Sequence, residues 1–534
     1  MKKIKAFLLM FIAIISLTIL VSCGKDASVD IIKITPMRTR IGVTLKVDDP
    51  DSIITTGSVS AAIYDKDDDK LKTLTFDELD ESEQTKTFDD LEEETSYKIV
   101  IKATVDDKSV TYYNKTVKTT AVGSSEDNPI VISTKSEFVD IKYDEEAYYS
   151  LAADLDFSDE SGNVTSFEPL FDSTTSFMGH FNGNGHTISN LDINTSDIYS
   201  GIFGYLGIGS TVKDLNINNV SISSTRGNYL YLGTLAGCNQ GIISNVHVSN
   251  ITISHMGQGT SKQYIGGMVG VNCYIIEDSS VETVTMTLRS RLQSTAGGFV
   301  GSNGGIVQNE INGAYINNCH ATGVDITTTF VTTHVVDKDT ATNADYLQYT
   351  GGFVGESMIN ISNSYVDAKI KGSATYSTGS SLDHYSVILG GFAGRVINGS
   401  KLDGCVANAN IDYTTADAYT FYAGVLVGEV VDGVLKNSIG ILNGENKVIN
   451  TADYSADEDE DIKKLFDKAF DGIGNLRSVL ITSLVDIENS GYVLKDATID
   501  SVTEGAMALA SPETAYDSSK LSEKVLAFYN SKIA

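Results

Sequence analysis

The sequence predicts an all-β protein: a right-handed parallel β-helix preceded by a small β-sandwich and followed by a C-terminal helical cap. Three observations lead there. Glycine is abundant and proline scarce, 47 against 5 in 534 residues, and Asn, Ser, Thr and Ile outweigh helix formers, which suits strands joined by tight turns. A glycine-rich element returns along the chain between Gly201 and Gly428. Residues 30–121 alternate apolar and polar with the two-residue period of half-buried strands.

The chain opens with Lys2, Lys3 and Lys5, runs apolar from Ala6 to Val21, and reaches Leu20-Val21-Ser22-Cys23. Positive charge, an apolar run and small residues, in that order, make a secretory signal. Ser16 and Thr18 interrupt the run, which falls short of the ~18–20 residues a spanning helix needs. Residues 1–22 are therefore expected to be a cleaved signal peptide. Leu20 to Cys23 resembles the lipobox of bacterial lipoproteins, and the resemblance implies that Cys23 becomes the diacylated first residue of the mature protein. The alternative is an ordinary secretion signal with a chance cysteine. Each buried methylene of an acyl chain adds roughly 0.8 kcal/mol, so two or three chains hold a protein where one would exchange. The expected location is the bacterial cell envelope, outside the cytoplasm and surface-exposed, with membrane contact through lipidated Cys23.

A formal charge of −31 repels phosphate, so no nucleic-acid partner is expected. Besides Cys23 there are Cys238, Cys273, Cys319 and Cys405. An even number outside the cytoplasm invites a disulfide reading. No CxxC or Cys/His spacing suits a metal, and no cofactor is expected.

A tether over residues 23–29 leads into the sandwich over residues 30–121. Gly42-Val43-Thr44-Leu45-Lys46-Val47 and Tyr97-Lys98-Ile99-Val100-Ile101-Lys102-Ala103 are its clearest strands. Leu91 to Tyr97 resembles the tyrosine-corner stretch of fibronectin type III domains, which implies that the Tyr97 hydroxyl bonds back to the preceding corner. The chain has no tryptophan, a departure from that family's core, so the expected class is immunoglobulin-like and the role a spacer. Asp65, Asp67, Asp68 and Asp69 suggest calcium, yet Lys70 and Phe76 stand where an EF-hand needs Gly and Glu. A solvated hairpin tip is the better reading.

Residues 122–180 are expected to be a linker and N-terminal cap, and residues 181–450 a repeat. Its glycine element reads Gly201-Ile202-Phe203-Gly204, Gly233-Thr234-Leu235-Ala236-Gly237, Gly266-Gly267-Met268-Val269-Gly270 and Gly297-Gly298-Phe299-Val300-Gly301. It continues as Gly351-Gly352-Phe353-Val354-Gly355, Gly390-Gly391-Phe392-Ala393-Gly394 and Gly424-Val425-Leu426-Val427-Gly428. A second element follows each copy. Its first column, Val212, Ile243, Ile276, Ile316, Ile361, Leu402 and Leu435, is wholly branched aliphatic. Two residues on stand Asp214, Asn245, Asp278, Asn318, Asn363, Gly404 and Asn437, the residue types that best tolerate positive φ. The next column, Leu215, Val246, Ser279, Cys319, Ser364, Cys405 and Ser438, is small or apolar. An eighth copy precedes the first glycine element as Ile188-Ser189-Asn190-Leu191-Asp192-Ile193.

Strands that bend at a fixed position and stack like over like describe a parallel β-helix, since no single coil buries its apolar face alone. A propeller would repeat at a similar length, but the bend column and short strands favour the coil. Cys319 and Cys405 share a column two rungs apart, about 9–10 Å, beyond disulfide reach. They are expected to be buried thiols. Cys238 and Cys273 lie two residues out of register, which leaves their pairing doubtful without excluding it.

The glycine element resembles the GLUG motif, and Phe177 to Leu191 resembles the opening rung that precedes such repeats. The resemblance runs from Tyr148 to Asn443 and implies a bacterial surface protein of adhesin-like character. Some such proteins carry peptidase domains, but no HExxH occurs here.

Parallel β-helices often cleave polysaccharides, so the column after the glycine element matters. It holds Tyr205, Cys238, Val271, Ser302, Glu356, Arg395 and Glu429. Glu356, Arg395 and Glu429 form an acid-base-acid ladder able to bind a uronate or move a proton, and also able to be a plain surface salt-bridge ladder. The structural reading is favoured. His186, beside glycines, could be polarised by a neighbour, and His180, His247 and His320 occupy rung positions that look exposed; without a carboxylate at a fitting spacing, none outranks an ordinary turn or surface histidine. Two residues before the glycine element stand Tyr231, Tyr264, Tyr349 and Tyr422, interrupted by Thr295 and Ile388. Such a row stacks sugars, packs on a partner, or stacks on itself between rungs. Loops near Thr327 to Gln348 and Ser373 to Tyr385 are second candidates for contact. Residues 451–534 are expected to form a cap region, with helices over Asp461 to Phe470 and Leu521 to Tyr529.

Three functions follow. The first is a non-enzymatic, adhesin-like lipoprotein that binds a glycan or a host-surface protein. The second is a polysaccharide-active lyase or hydrolase using the ladder, and the third a purely structural envelope component.

Overall fold

The computed structural model describes residues 27–257, 262–290, 293–305, 313–332, 346–376, 385–415, 420–443, 447–450, 486–495 and 516–533. The expected signal peptide, Cys23 and the helix expected over Asp461 to Phe470 lie outside them. So do residues 333–345 and 377–384 of the two expected loops. Two compact units, residues 1–130 and 131–534, make up the chain.

In the first unit, Ser28–Pro36, Ile41–Asp48 and Asp80–Phe88 form one antiparallel sheet. Lys70–Thr75, Ser60–Tyr64, Ser96–Val105 and Lys108–Lys118 form the other. Alternation does the work: Ile41, Val43, Leu45 and Val47 point inward and meet Ala61, Ile63, Ile99 and Ile101, with Phe76 and Phe88 filling the ends. The tyrosine corner is present, since the Tyr97 hydroxyl accepts from the Glu92 amide at 2.9 Å. The Asp65 carboxylate accepts from the amides of Asp67 and Asp69, so the acidic cluster tightens a hairpin tip.

The second unit is a parallel β-helix. Each coil runs along a long sheet, turns through a short second sheet, reverses at the glycine element into a short third sheet, and returns. One coil comprises Thr211–Ser224, Leu230–Leu232 and Ala236–Asn239, and the next begins at Ile242–Met256. The branched aliphatic column stacks in register from Val212 through Ile243, Ile276, Ile316, Ile361, Leu402 and Leu435, and every member is buried.

The bend column has φ near +50° at Asp214, Asn245, Asp278, Asn318, Asn363 and Asn437, with Gly404 at 67°. Its side chains also bond from coil to coil, as where the Asn245 amide donates to Asp214 at 2.7 Å. In the following column the hydroxyl of one coil accepts a backbone amide of the coil before: Ser364 from Cys319, Ser438 from Cys405. Where that position is serine, its hydroxyl takes up the amide that the bend frees from the ladder.

Two expectations are corrected. Ile188 pairs with Ile217, and Phe181 occupies the place opposite Val212. The eighth copy was therefore misregistered: Asn190 belongs to a second bend column with Asn219, Asn250, Thr283 and Gly323, all at positive φ. Both bends follow an aliphatic and precede another, so the pattern matches itself five residues along. The coil also exceeds residues 181–450, because Tyr148–Leu151 pairs with His180–Asn182 and Asp486–Glu488 with Val434–Lys436.

At the N-terminal side Phe138, on the short helix Lys135–Val139, packs against Phe157, Phe167, Phe181 and Phe203. The expected C-terminal helix is Glu523–Ile533. Val525 and Tyr529 pack with Val406, Ile439 and Ile441, and Phe528 stacks on Tyr365 at 4.2 Å. Tyr365, Val406 and Ile439 belong to consecutive coils, so the helix covers the flank of the long sheet.

Candidate functional site

The glycine element sets the geometry of every candidate column. A β-carbon on Gly267 would stand 2.1 Å from the carbonyl oxygen of Gly298 in the next coil. One on Gly237 would stand 2.4 Å from the Tyr231 carbonyl oxygen of the second sheet. With neither β-carbon present, the second and third sheets close on each other, and the tyrosine column of one meets the Glu/Arg column of the other. The Phe of the element turns inward, giving a core stack of Phe299, Phe353 and Phe392 at 4.6 and 4.7 Å between centroids.

The ladder is where the sequence placed it but buried, which overturns its reading as a surface feature. Ser302, Glu356, Arg395 and Glu429 are successive register partners. The Arg395 guanidinium lies 3.3 Å from Glu356 and 3.0 Å from Glu429, and these carboxylates are 6% and 0% exposed as residues. Arg395 also donates to the Tyr349 hydroxyl at 3.0 Å and sits 5.2 Å from that ring's centre. Burial pushes the Glu356 carboxyl up, and Arg395 opposes the rise. Arg395 is thus engaged on three sides.

The tyrosine row is likewise turned on itself. Tyr199, Tyr231 and Tyr264 stack face to face at 4.9 and 5.4 Å, and Tyr231 and Tyr264 are buried. Thr295, Tyr349 and Ile388 continue the column, and Tyr422 follows in backbone register with its side chain outside the described residues. Ring faces that a sugar would need are taken by neighbouring coils.

Cys238, in register with Tyr205 on the third sheet, is fully buried, and a hydrogen bond with the Cys273 thiol first, then burial, hold its thiol well above the usual range. Cys238, Cys273, Cys319 and Cys405 are buried thiols, and Cys319 and Cys405 each sit in the column expected. Burial pushes both of those thiols up to about 12.

Among the histidines, His320 is not exposed. It stacks on Tyr365 at 4.8 Å, and burial, then Lys524 and His247, lower it to about 4. His186 has a carboxylate after all: its Nδ1 lies 3.0 Å from Asp154, which also accepts the Thr187 amide. The Thr187 amide first, then His186, hold Asp154 below the usual carboxylate range. The partners are 32 residues apart in different strands' flanks, so no local spacing announced them.

Two features escaped the sequence reading. Asn239, Asn272 and Asn303 form a fully buried amide ladder, with Asn239 donating to Asn272 at 2.8 Å and Asn272 to Asn303 at 2.9 Å. Their common position, three residues after the apolar pair of each glycine element, was the available signal. The other is an apolar corner where the long sheet hands over to the second sheet. Ile198, Tyr229 and Met256 are 41%, 50% and 42% exposed in successive coils. Arg226 steadies the corner by bonding the carbonyls of Tyr229 and Ser196. These residues lie in irregular connections with no column to reveal them. Among the described residues, no group of three or more His, Cys, Asp or Glu is placed to hold a metal. Among them too, no helix is long and apolar enough to cross a membrane.

No family model and no solved structure matches the chain. It is similar to Halomucin of Haloquadratum walsbyi, 28% identical over 212 residues that cover 38% of this chain and 2% of that protein. It is also similar to a putative Gly-rich membrane protein of Evansella cellulosilytica, 32% identical over 130 residues, 23% of this chain and 15% of that one. The chain thus spans a small fraction of either relative's length.

Proposed function

We propose that the chain is a lipid-anchored, extracytoplasmic binding module of the GLUG-repeat, adhesin-like kind. The observation that carries the non-enzymatic part is the burial of Glu356 and Glu429 around Arg395. A glycosidase or lyase must bring its carboxylate or base to the sugar, and both of these carboxylates are buried. The contact surface is the apolar corner of Ile198, Tyr229 and Met256, because an exposed aromatic ring beside aliphatic side chains suits the apolar face of a sugar or a protein partner. A name containing "membrane protein" for one relative agrees with anchoring through Cys23.

The experiment is an array of glycans and matrix proteins probed with the full chain and with an Ile198→Ser, Tyr229→Ala, Met256→Ser variant. Each glycan is also assayed for cleavage products. The expected result is retention of the unaltered chain on one class of ligand, loss with the variant, and no products. Products whose release stops in Glu356→Gln would install the enzyme reading instead.

A further inference from the structure

We propose that Cys238 and Cys273 form a disulfide that cross-links two consecutive coils of the β-helix. Asn239 and Asn272 are register partners, and the Cys273 amide donates to the Asn239 carbonyl at 2.8 Å. The two cysteines therefore sit one residue to either side of a paired position, where the chain leaves its strand and bends at Tyr274. The Cys273 amide bond to the Asn239 carbonyl and the bend after it hold Cys273 beside the end of the Cys238 strand, within hydrogen-bonding reach of the Cys238 thiol despite the two-residue offset seen in the sequence. Cys273 lies among Tyr199, Tyr231, Tyr264 and Val271, and both cysteines are buried. Cys319 and Cys405 offer the contrast: Ser364 of the intervening coil separates them, and their Sγ atoms face the Ile276 and Ile361 carbonyls.

The oxidant is a small-molecule or protein disulfide. One thiol, as its thiolate, attacks a sulfur of that disulfide, forming a mixed disulfide and releasing one thiolate. The second thiolate then attacks the first cysteine's sulfur, closing the Cys238–Cys273 bond and releasing the other half of the oxidant. Two protons and two electrons leave the protein, and one disulfide becomes two thiols. Because the thiols are buried, closure takes place as the coil forms or opens locally, before Tyr231 and Tyr264 seal it.

The test takes the reduced, denatured full chain and refolds it with oxidised and reduced glutathione, so its outcome does not depend on where the protein resides or whether Cys23 is acylated. Remaining thiols are blocked with one maleimide, then disulfides are reduced and labelled with a heavier one before peptide mass analysis. The expected result is the heavy label on Cys238 and Cys273 and the light label on Cys319 and Cys405. Cys238→Ser should leave Cys273 light, whereas Cys405→Ser should leave the cross-link intact. The oxidised protein should melt a few degrees above the reduced one. Light label on both Cys238 and Cys273 in refolded protein, or either paired with a different cysteine, overturns the proposal.

Discussion

Arg395 lies 3.0 Å from a Glu429 carboxylate that is wholly out of solvent, one coil further along the stack. Two buried acids flank one half-buried base here, with Tyr349 accepting from the guanidinium. Removing the base alone leaves two carboxylates in a low-dielectric layer. Arg395→Ala is expected to cost about 3–5 kcal/mol in denaturant unfolding, while the volume-matched Glu356→Gln, Arg395→Met, Glu429→Gln variant recovers most of it. Equal losses in the two proteins would mean that packing, not charge, is what Arg395 supplies.

The glycine element makes a sharper steric claim. At Gly267 an added β-carbon meets backbone of the next coil at 2.1 Å, and backbone cannot swing away as a side chain can. Gly267→Ala should cost about 3 kcal/mol, at the upper end for overpacking. Gly162, at φ 82° with nothing within 4 Å of an added β-carbon, should cost about 1 kcal/mol as alanine, from its backbone conformation alone. Urea midpoints of the two variants compare them directly.

Asn272 both accepts from Asn239 and donates to Asn303 inside the core. Asn272→Asp keeps the acceptor and loses the donor while adding a buried charge, so it should destabilise more than Asn272→Leu. Each orphaned amide costs about 1–3 kcal/mol. A thermal melt of each variant gives the order.

Stability should fall with acid through His255. Burial lowers this imidazole to about 4, against about 6.5 in the unfolded chain. As pH falls from about 6.5 to about 4 the unfolded state takes up a proton that the folded state refuses, so folding stability declines across that window and not above it. His320 shifts the same way and adds to the slope. Unfolding midpoints measured across the window should flatten in His255→Gln; an unchanged slope would assign the acid sensitivity elsewhere.

Much of this architecture was legible because a coil repeats its demands. The Val212 to Leu435 column, the left-handed bend at Asn245 and its equivalents, and the Tyr97 corner each follow from residue type at a fixed position. Register was legible only where the pattern was unique: Ile188 matched the wrong bend because both bends carry the same aliphatic-x-Asn/Asp-aliphatic signature. Sidedness was harder. Glu356 and Glu429 read as surface residues since charge seldom goes inside, and the missing β-carbons of the glycine element let the second and third sheets close over them. Asp154 and His186, or Cys238 and Cys273, meet through turns whose direction no column encodes.

The proposed role is tested most directly by the retention of ligand-coated beads on bacterial cells that carry the chain. Three strains are compared: unaltered, Cys23→Ser, and Ile198→Ser with Tyr229→Ala and Met256→Ser. An anchored binding surface predicts that the first strain holds beads, the second releases the protein to the medium and holds none, and the third displays the protein yet holds none. Bead retention no greater in the unaltered strain than in cells lacking the chain, across the glycan and matrix-protein panel, would contradict it.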